Sequence, residues 1–531
     1  MAPDGALYLG LDSSTQSLSA VLLEASGGRH RVVFELSLPF DTTLRHYGTR
    51  HGVLPTTDPS IAQSSPVMWA EALETVFARL SEQRVDLSRL TAISGSAQQH
   101  GSVYLNDAAG RGLETLHTGR GLAPQIVTLL SRPISPIWMD SSTTAECREI
   151  EASVGGAGEL ARHTGSRAFE RFTGPQIRRF AAHEREAYAA TDRIHLVSSY
   201  LASVLVGRHA PVDPGDGAGM NLMDLASRQW WTPAVEATAP RLREKLPAIA
   251  PSSSIAGRLS PYWRARYRLP NAKVVVWSGD NPCSLIGLGL VREGQVGVSL
   301  GTSDTIFGPM RTPRVDPGGT GHVFGAPTGE FMGITVFSNG SLARERVRDR
   351  YGLTWEAFSR ALESTPPGNG GALMLPWFVP EITPVVPAPG VRRQALDDGD
   401  GAANVRAVVE AQMTALALHS QWMGVAVDVM HVTGGAAANR QILQVLADVF
   451  GAEVRRVEVA NAAALGAALR ALHADRLDDR DPLGWDAVID GLEQPAPERV
   501  ASDRARHDTY LAQRQRYAEF ERQESARRRS G

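Results

Sequence analysis

Asp280, in the stretch Ser278-Gly279-Asp280-Asn281-Pro282, follows an apolar strand and is placed to do proton chemistry. A carboxylate at a strand end can reach into a cleft and accept a proton from a substrate hydroxyl. Pro282 is expected to open the following helix, whose N-terminal amides favour a nearby anion. Three further strands run into turns of glycine, small and hydroxyl residues: GLDSST (10–15), GTSD (301–304) and GGAAAN (434–439). Such turns let backbone N–H groups approach a phosphate closely. Ser13, Ser14, Thr15, Thr302 and Ser303 add donors without any lysine. Asp12, at a strand end, can hold the shell of a hydrated Mg²⁺. Each turn alone fits an ordinary hairpin, and Asp280 alone fits a helix N-cap; the set points to phosphate chemistry.

Composition narrows what that chemistry can be. The 531 residues carry 54 Lys+Arg against 57 Asp+Glu, yet only Lys245 and Lys273 are lysines. No Gly-Lys pair exists, so a GxxxxGK[ST] phosphate loop is excluded, and no HRD or DFG supports a protein kinase. GxGxxG is absent, which disfavours a dinucleotide fold. Two cysteines, Cys147 and Cys283, build neither a disulfide framework nor a CxxC metal site. His46 and His51 sit in a polar loop without the spacing of a zinc site. No basic leader opens the chain, and no apolar run reaches the roughly 18 residues of a membrane span. Near-neutral charge argues against a nucleic-acid binder. A cytoplasmic protein with neither nucleic-acid nor membrane partners is expected.

The elements that must position these residues alternate between strand and helix, the pattern of an α/β protein. LYLGLD, LSAVLLE and RVVFEL read as strands, and a helix follows with Ser65 as N-cap and Pro66 at its first position. Its stripe of Trp69, Leu73, Val76, Phe77 and Leu80 has helical spacing. LTAISGS, KVVVW (273–277) and VMHVT read as further strands. LYLGLDSSTQ (7–16) is echoed by VGVSLGTSDT (296–305), about half the chain later, which implies two related domains. The boundaries expected are 1–285, 286–500 and a charged terminal helix or tail over 501–531, read as solvated. VPEITPVVPAPG (379–390) reads as a surface loop, and AAALGAALRAL (462–472) as a helix packed closely at a domain contact. Asn339 is expected to cap the helix that follows it.

The chain resembles the FGGY family of carbohydrate kinases, and within it the eukaryotic-type xylulose kinases. The stretches that carry the resemblance include ISGSAQQHGSVY (93–104), WMDSST (138–143), GSRAFERFTGPQI (165–177), SGDNP (278–282), PEITP (380–384) and TGGAAANRQILQVLADVF (433–450). The resemblance implies two actin-like, ribonuclease-H-like ATPase domains flanking a deep cleft, with sugar on the first and ATP on the second. It implies ATP-dependent phosphorylation of D-xylulose to the 5-phosphate with Mg²⁺, by a monomer or homodimer. Domain closure would exclude water. Kinases of another pentulose or a polyol, or an actin- or chaperone-like ATPase, are the alternatives.

Carried over residue by residue, Asp280 is the implied general base, and Gln99, His100, Arg171, Asp280 and Asn281 are the implied sugar contacts. Gly10, Asp12 and Thr15 match the first phosphate turn, with Asp12 toward the metal, and Gly301 and Thr302 match the second. Gly434, Gly435, Ala436 and Asn439 match the adenosine motif, and Trp355 an aromatic beside the nucleotide. Ala437 and Ala438 stand where more polar residues are common in the family.

Overall fold

The structure, a computed structural model, describes residues 5–83 and 85–530. The first four residues, part of the opening stretch in which no secretory leader is expected, lie outside the described residues, as do Arg84 and Gly531 at the end of the charged tail. The chain forms two compact units, one of Met1–Val291, Val323–Phe331 and Ala460–Gln494, the other of Arg292–His322, Met332–Val459 and Pro495–Gly531.

The first unit begins with a hairpin, β1 (Ala6–Ser13) and β2 (Ser17–Ser26), extended by β3 (Arg29–Pro39). The apolar residues of β1 and β2 are buried on both faces, as a covered sheet requires, whereas those of β3 are mostly half-buried. Helix α1 (Pro66–Ser81) starts where the sequence places it: Ser65 Oγ accepts the Met68 N–H at 3.4 Å, and the apolar stripe is buried. Strand β4 (Leu90–Ala97) runs parallel to β1, and β5 (Ile255–Arg258), β6 (Lys273–Val275) and the short β7 (Ser278–Gly279) complete the sheet. The order is β5-β6-β4-β1-β2-β3, with β7 parallel to the end of β4. Helix α2 (Val197–Val206) is buried throughout, its three serines included, and α3 (Asp280–Gly287) follows β7 directly.

The second unit repeats the opening. Strands β8 (Gln295–Leu300) and β9 (Asp304–Met310) form an antiparallel hairpin, and β10 (Phe331–Phe337) continues the chain. Helices α4 (Ser341–Arg350), α5 (Trp355–Ser364) and α6 (Gly401–His419) precede β11 (Val429–Thr433), which pairs parallel with β8 as β4 does with β1. Helix α7 (Arg440–Phe450) and β12 (Glu453–Arg456) follow. The sequence echo is therefore a structural repeat, a hairpin with a parallel strand beside its first strand. Asn339 does not cap α4; the N-cap position is Gly340, and the Asn339 side chain donates instead to Glu381 Oε2 at 2.8 Å. Glu381, in the irregular 379–390 loop, is correspondingly buried rather than at the surface.

The chain then returns to the first unit. Helix α8 (Ala462–Asp478) packs against α3, β1 and β4, so the unit boundary does not follow the expected break at 285 throughout. Small residues make this possible: a Cβ on Gly466 would lie 1.8 Å from the Cys283 carbonyl oxygen, and one on Gly10 2.0 Å from that of Ala464. Helix α9 (Arg504–Ser530) belongs to the second unit and corrects the reading of a solvated tail. Tyr510, Gln513, Tyr517, Phe520 and Glu524 fall at helical spacing and are buried. Tyr510 and Gln513 both donate to Glu410 of α6 at 2.8 Å. Among the described residues no helix is long and apolar enough to cross a membrane.

Gly466→Ala distinguishes packing from propensity. Alanine gains about 1 kcal/mol in an isolated helix interior, whereas overpacking a tight contact costs about 1–3 kcal/mol. A net fall in thermal unfolding midpoint is expected; a rise would show that α8 does not need this close approach.

Candidate active-site residues

Strands β1, β4 and β7 are neighbours and run parallel. Their carboxyl ends therefore deliver Asp12, the Gln98–His100 stretch and Asp280 to one edge of the first sheet, where α/β folds hold their ligands. Asp280 is itself the first residue of α3, two positions earlier than the Pro282 start expected. Its Oδ1 accepts the Asn281 backbone N–H at 2.9 Å and the Asn281 Nδ2–H at 3.2 Å. Asn281 Nδ2 also donates to Gln99 Oε1 at 2.8 Å, and Gln99 Nε2 to the Gly215 carbonyl at 3.2 Å. Burial, reinforced by the negative charge of Asp12, raises the Asp280 pKa to about 7. Burial also raises Asp12 to about 6, opposed by the Ser96 hydroxyl, and Asp12 Oδ1 is buried with no hydrogen-bond partner.

His100 and Arg171 form a second cluster on the same unit. The His100 backbone has φ +71°, and Thr173 Oγ1 donates to its carbonyl at 2.9 Å. Its ring stacks on Phe172 at 4.4 Å, and Nδ1 lies 2.9 Å from the Gly219 carbonyl oxygen. A carbonyl only accepts, so Nδ1 carries the proton and Nε2 is left as an acceptor. Burial first, then the Arg171 charge, depresses the ring pKa to about 3, which keeps it neutral. The Arg171 guanidinium lies 4.8 Å over Phe169 and 5.4 Å over Phe172, and burial lowers its own pKa to about 10. Thr15 Oγ1 accepts from Trp138 Nε1 at 2.8 Å and donates to Gln98 Oε1 at 3.4 Å. Gly10 lies inside β1 opposite Val21, and its lack of a side chain serves the contact with α8 rather than the turn.

Sequence reasoning passed over the segment Asp213-Pro-Gly-Asp-Gly-Ala-Gly219. It packs against the site: a Cβ on Gly219 would lie 2.8 Å from the His100 ring, and one on Gly215 2.6 Å from Ser278 Oγ. Asp216 within it is fully buried, accepts the Ser198 hydroxyl at 2.5 Å and titrates well above the usual carboxylate range through burial. Asp213 and Asp280 add to that rise. Three glycines beside two aspartates were the available signal.

On the second unit the expected nucleotide residues gather around a cavity of about 690 Å³, lined by Gly301, Thr302, Trp355, Gly435, Ala436 and Asn439 among others. Gly434 lies behind this wall at φ +92°, with the Leu300 carbonyl 2.6 Å from where a Cβ would stand. Below the Thr302 turn, Asp304 and Arg344 form a buried bidentate pair at 2.8 and 3.0 Å. The Arg348 guanidinium covers one face of the Trp355 ring at 4.6 Å.

Among the described residues no group of three or more His, Cys, Asp or Glu side chains is placed to hold a metal. A protein cage is thus absent there, but Mg²⁺ commonly uses one or two carboxylates with phosphates and waters. The unpartnered Oδ1 of Asp12 fits that need.

Residues 128–287 match the N-terminal domain of the FGGY family of carbohydrate kinases, and residues 296–474 its C-terminal domain. The chain is 42% identical over 493 residues to xylulose kinase 2 of Arabidopsis thaliana, spanning 89% of this chain and 88% of that protein. It is 40% identical over 525 residues to xylulose kinase of Rattus norvegicus, spanning 97% and 96%. Among solved structures, xylulose kinase from Rhodospirillum rubrum superposes with a TM-score of 0.81 at 21% identity, covering 98% of this chain and all of that one. A kinase from Brucella ovis gives 0.79 at 23% identity, covering 98% and 99%; at these identities the likeness establishes the fold.

The His100 assignment has a direct check. Nitrogen chemical shifts of a selectively labelled ring are expected to show a neutral, Nδ1-protonated tautomer unchanged from pH 8 to pH 5. An imidazolium appearing in that range would contradict the burial argument.

Proposed function

The chain belongs to the FGGY family of carbohydrate kinases, and from that premise we propose that it transfers the terminal phosphoryl group of ATP to the C5 hydroxyl of D-xylulose. The products are D-xylulose 5-phosphate and ADP. Likeness to xylulose kinases over nearly the whole chain supports the choice of sugar. The observation that carries the chemistry is Asp280, a half-buried carboxylate at a sheet edge with a pKa raised to about 7.

Asp280 acts as general base. It takes the proton of the C5 hydroxyl as that oxygen bonds to phosphorus and the bond to the ADP oxygen breaks. A base with a pKa near the working pH combines an adequate ionised fraction with real proton affinity. Asn281 holds Oδ1 through two hydrogen bonds, and Gln99 in turn fixes Asn281. His100 Nε2 accepts from a sugar hydroxyl, and Arg171, braced on two phenylalanine rings, donates to the sugar's oxygens. Gly301 and Thr302 offer backbone and hydroxyl donors to the nucleotide phosphates, Thr15 offers a hydroxyl from the first turn, and Trp355 stacks on the base. Asp12 would hold Mg²⁺, which when bound neutralises phosphate charge. Positioning and charge neutralisation thus carry most of the catalysis, as phosphoryl transfer requires.

ADP release with Mg-ATP and a panel of pentuloses and polyols tests the reading, and D-xylulose should give the highest kcat/KM. Preference for another sugar would move the assignment within the family, and hydrolysis without any phosphorylated sugar would overturn it. Asp280→Asn is expected to lower kcat by about 10² or more, the scale of a positioned base, while sugar affinity stays within a few fold. Near-normal turnover in that variant would remove Asp280 from its role.

A further inference from the structure

The nucleotide cavity is rich in surface for the face of a base and poor in fixed groups that would tell one purine edge from another. Trp355 is 40% exposed and lines the cavity, with Arg348 4.6 Å over one face and Phe358 edge-on at 5.3 Å. The ring is thereby held as a platform for stacking. Asn439, the residue best suited to recognise a purine edge, is largely spent, and its one remaining Nδ2–H suits the N7 acceptor that adenine, guanine and hypoxanthine share. Its Oδ1 accepts the backbone N–H groups of Gln441 and Ile442 at 3.0 and 3.3 Å, capping α7. Its Nδ2 donates to Ser359 Oγ at 2.7 Å.

Some neighbouring polar groups are committed too, while Ser341, which also lines the cavity, adds a hydroxyl that can donate or accept and so suits an amino or a keto edge alike. Arg344 spends both terminal nitrogens on Asp304 and on Gln412 Oε1. The Glu356 carboxyl is held below the usual range by its own backbone amide and the Thr354 hydroxyl at the start of α5. The Gly435–Ala438 turn closes on itself, Ala437 N–H to the Gly434 carbonyl and Asn439 N–H to the Ala436 carbonyl, both at 3.0 Å. Ala436, Ala438 and Ile442 add apolar surface. Ser359 retains a hydroxyl that can rotate to donate or accept, and Glu345 offers an acceptor that the ribose of any ribonucleotide satisfies.

We propose that this cavity recognises its base by stacking on Trp355 and not by hydrogen bonds that tell one purine edge from another, so that GTP and ITP serve as phosphoryl donors alongside ATP. The inference rests on reading the cavity as the donor site. A site without dedicated partners for a polar edge discriminates weakly, by up to about 10²-fold, whereas one built to bond that edge discriminates by about 10⁴-fold or more. The extra amino group of guanine also has room in a cavity of about 690 Å³.

Steady-state kinetics of the full chain with D-xylulose and Mg²⁺, using ATP, GTP and ITP in turn, decide the matter. The kcat/KM for GTP and ITP should lie within about 100-fold of ATP, the ceiling for a pocket lacking edge readout; a larger gap for either overturns the proposal. Trp355→Ala should raise KM for ATP and GTP alike by about tenfold, within the range for a lost aromatic–base stack, with sugar KM unchanged. A rise confined to one base, or no rise, also overturns it. Calorimetric Kd values for ADP and GDP apply the same 100-fold criterion without turnover. Failure of the sugar-kinase reading would appear separately, as no phosphorylated sugar from any donor while both diphosphates still bind.

Discussion

The position of Asp280 depends on a contact with no side chain in it. Gly466 of α8 lies against the backbone of α3 near Cys283, three residues after Asp280. One turn further along α8, Arg470 enters the interior fully buried. Its guanidinium donates to the carbonyls of Gly95 at 3.2 Å, Val276 at 2.8 Å and Ser252 at 3.1 Å, and lies 3.3 Å from Cys283 Sγ. A buried cation is expensive unless its donors are satisfied and a counter-charge is near; Asp213, at 3.9 Å, supplies the charge. Gly95 belongs to β4 and Val276 to the segment leading into β7 and α3, the segments that deliver His100 and Asp280, while Ser252 precedes β5. At the other end of the helix, Lys273 of β6 binds Asp475, Asp478 and Asp479 at 2.8, 2.9 and 2.5 Å, and Tyr8 of β1 donates to Asp475 at 2.9 Å. A helix from late in the chain therefore clamps the strands that present Asp12, the Gln98–His100 stretch and Asp280.

That clamp allows an arrangement the site's own electrostatics oppose. The negative charge of Asp12 raises the cost of ionising Asp280 within a buried edge, and Asp216, itself raised by Asp213 and Asp280, adds a third carboxyl. Left free, such groups would separate or neutralise. Here their backbones are fixed by parallel strands and by a helix that cannot retreat, so the mismatch is expressed as a raised pKa rather than as movement. A carboxylate made basic in this way suits deprotonation of an alcohol, and the scaffold's stability sustains the unfavourable local term.

The parts of this design written locally were legible in the sequence. Strand ends, the Ser65 cap, the repeated hairpin and the turn residues all depend on neighbours within a few positions. What escaped was set by partners far along the chain. Nothing near residue 470 announces that its arginine is a core residue, because its carbonyl partners lie about 190 to 375 positions away. Helix α9 read as solvated because its buried stripe is carried by Tyr510, Gln513, Tyr517 and Phe520 among many charges, and its partner Glu410 is on α6. Asn339 and Asn439 show the same lesson in opposite directions. The first was expected to cap a helix and is bound to Glu381; the second, read only as a nucleotide residue, lines the cavity of the second unit and also caps α7.

The scarcity of lysine acquires a physical meaning from these contacts. Lys273 is enclosed by three aspartates, and Lys245 donates to the Thr191 carbonyl. Arg344, below the second phosphate turn, is neutralised by Asp304, and Arg470 is consumed by carbonyls. The cations packed near the two hairpins are thus structural, each already matched inside its own unit. Amides and hydroxyls at the turns can orient a phosphate but bring only partial charge. On the proposed reading a divalent counter-ion would supply the rest, and Asp12, whose Oδ1 is buried without a hydrogen-bond partner, is the carboxylate proposed to hold it.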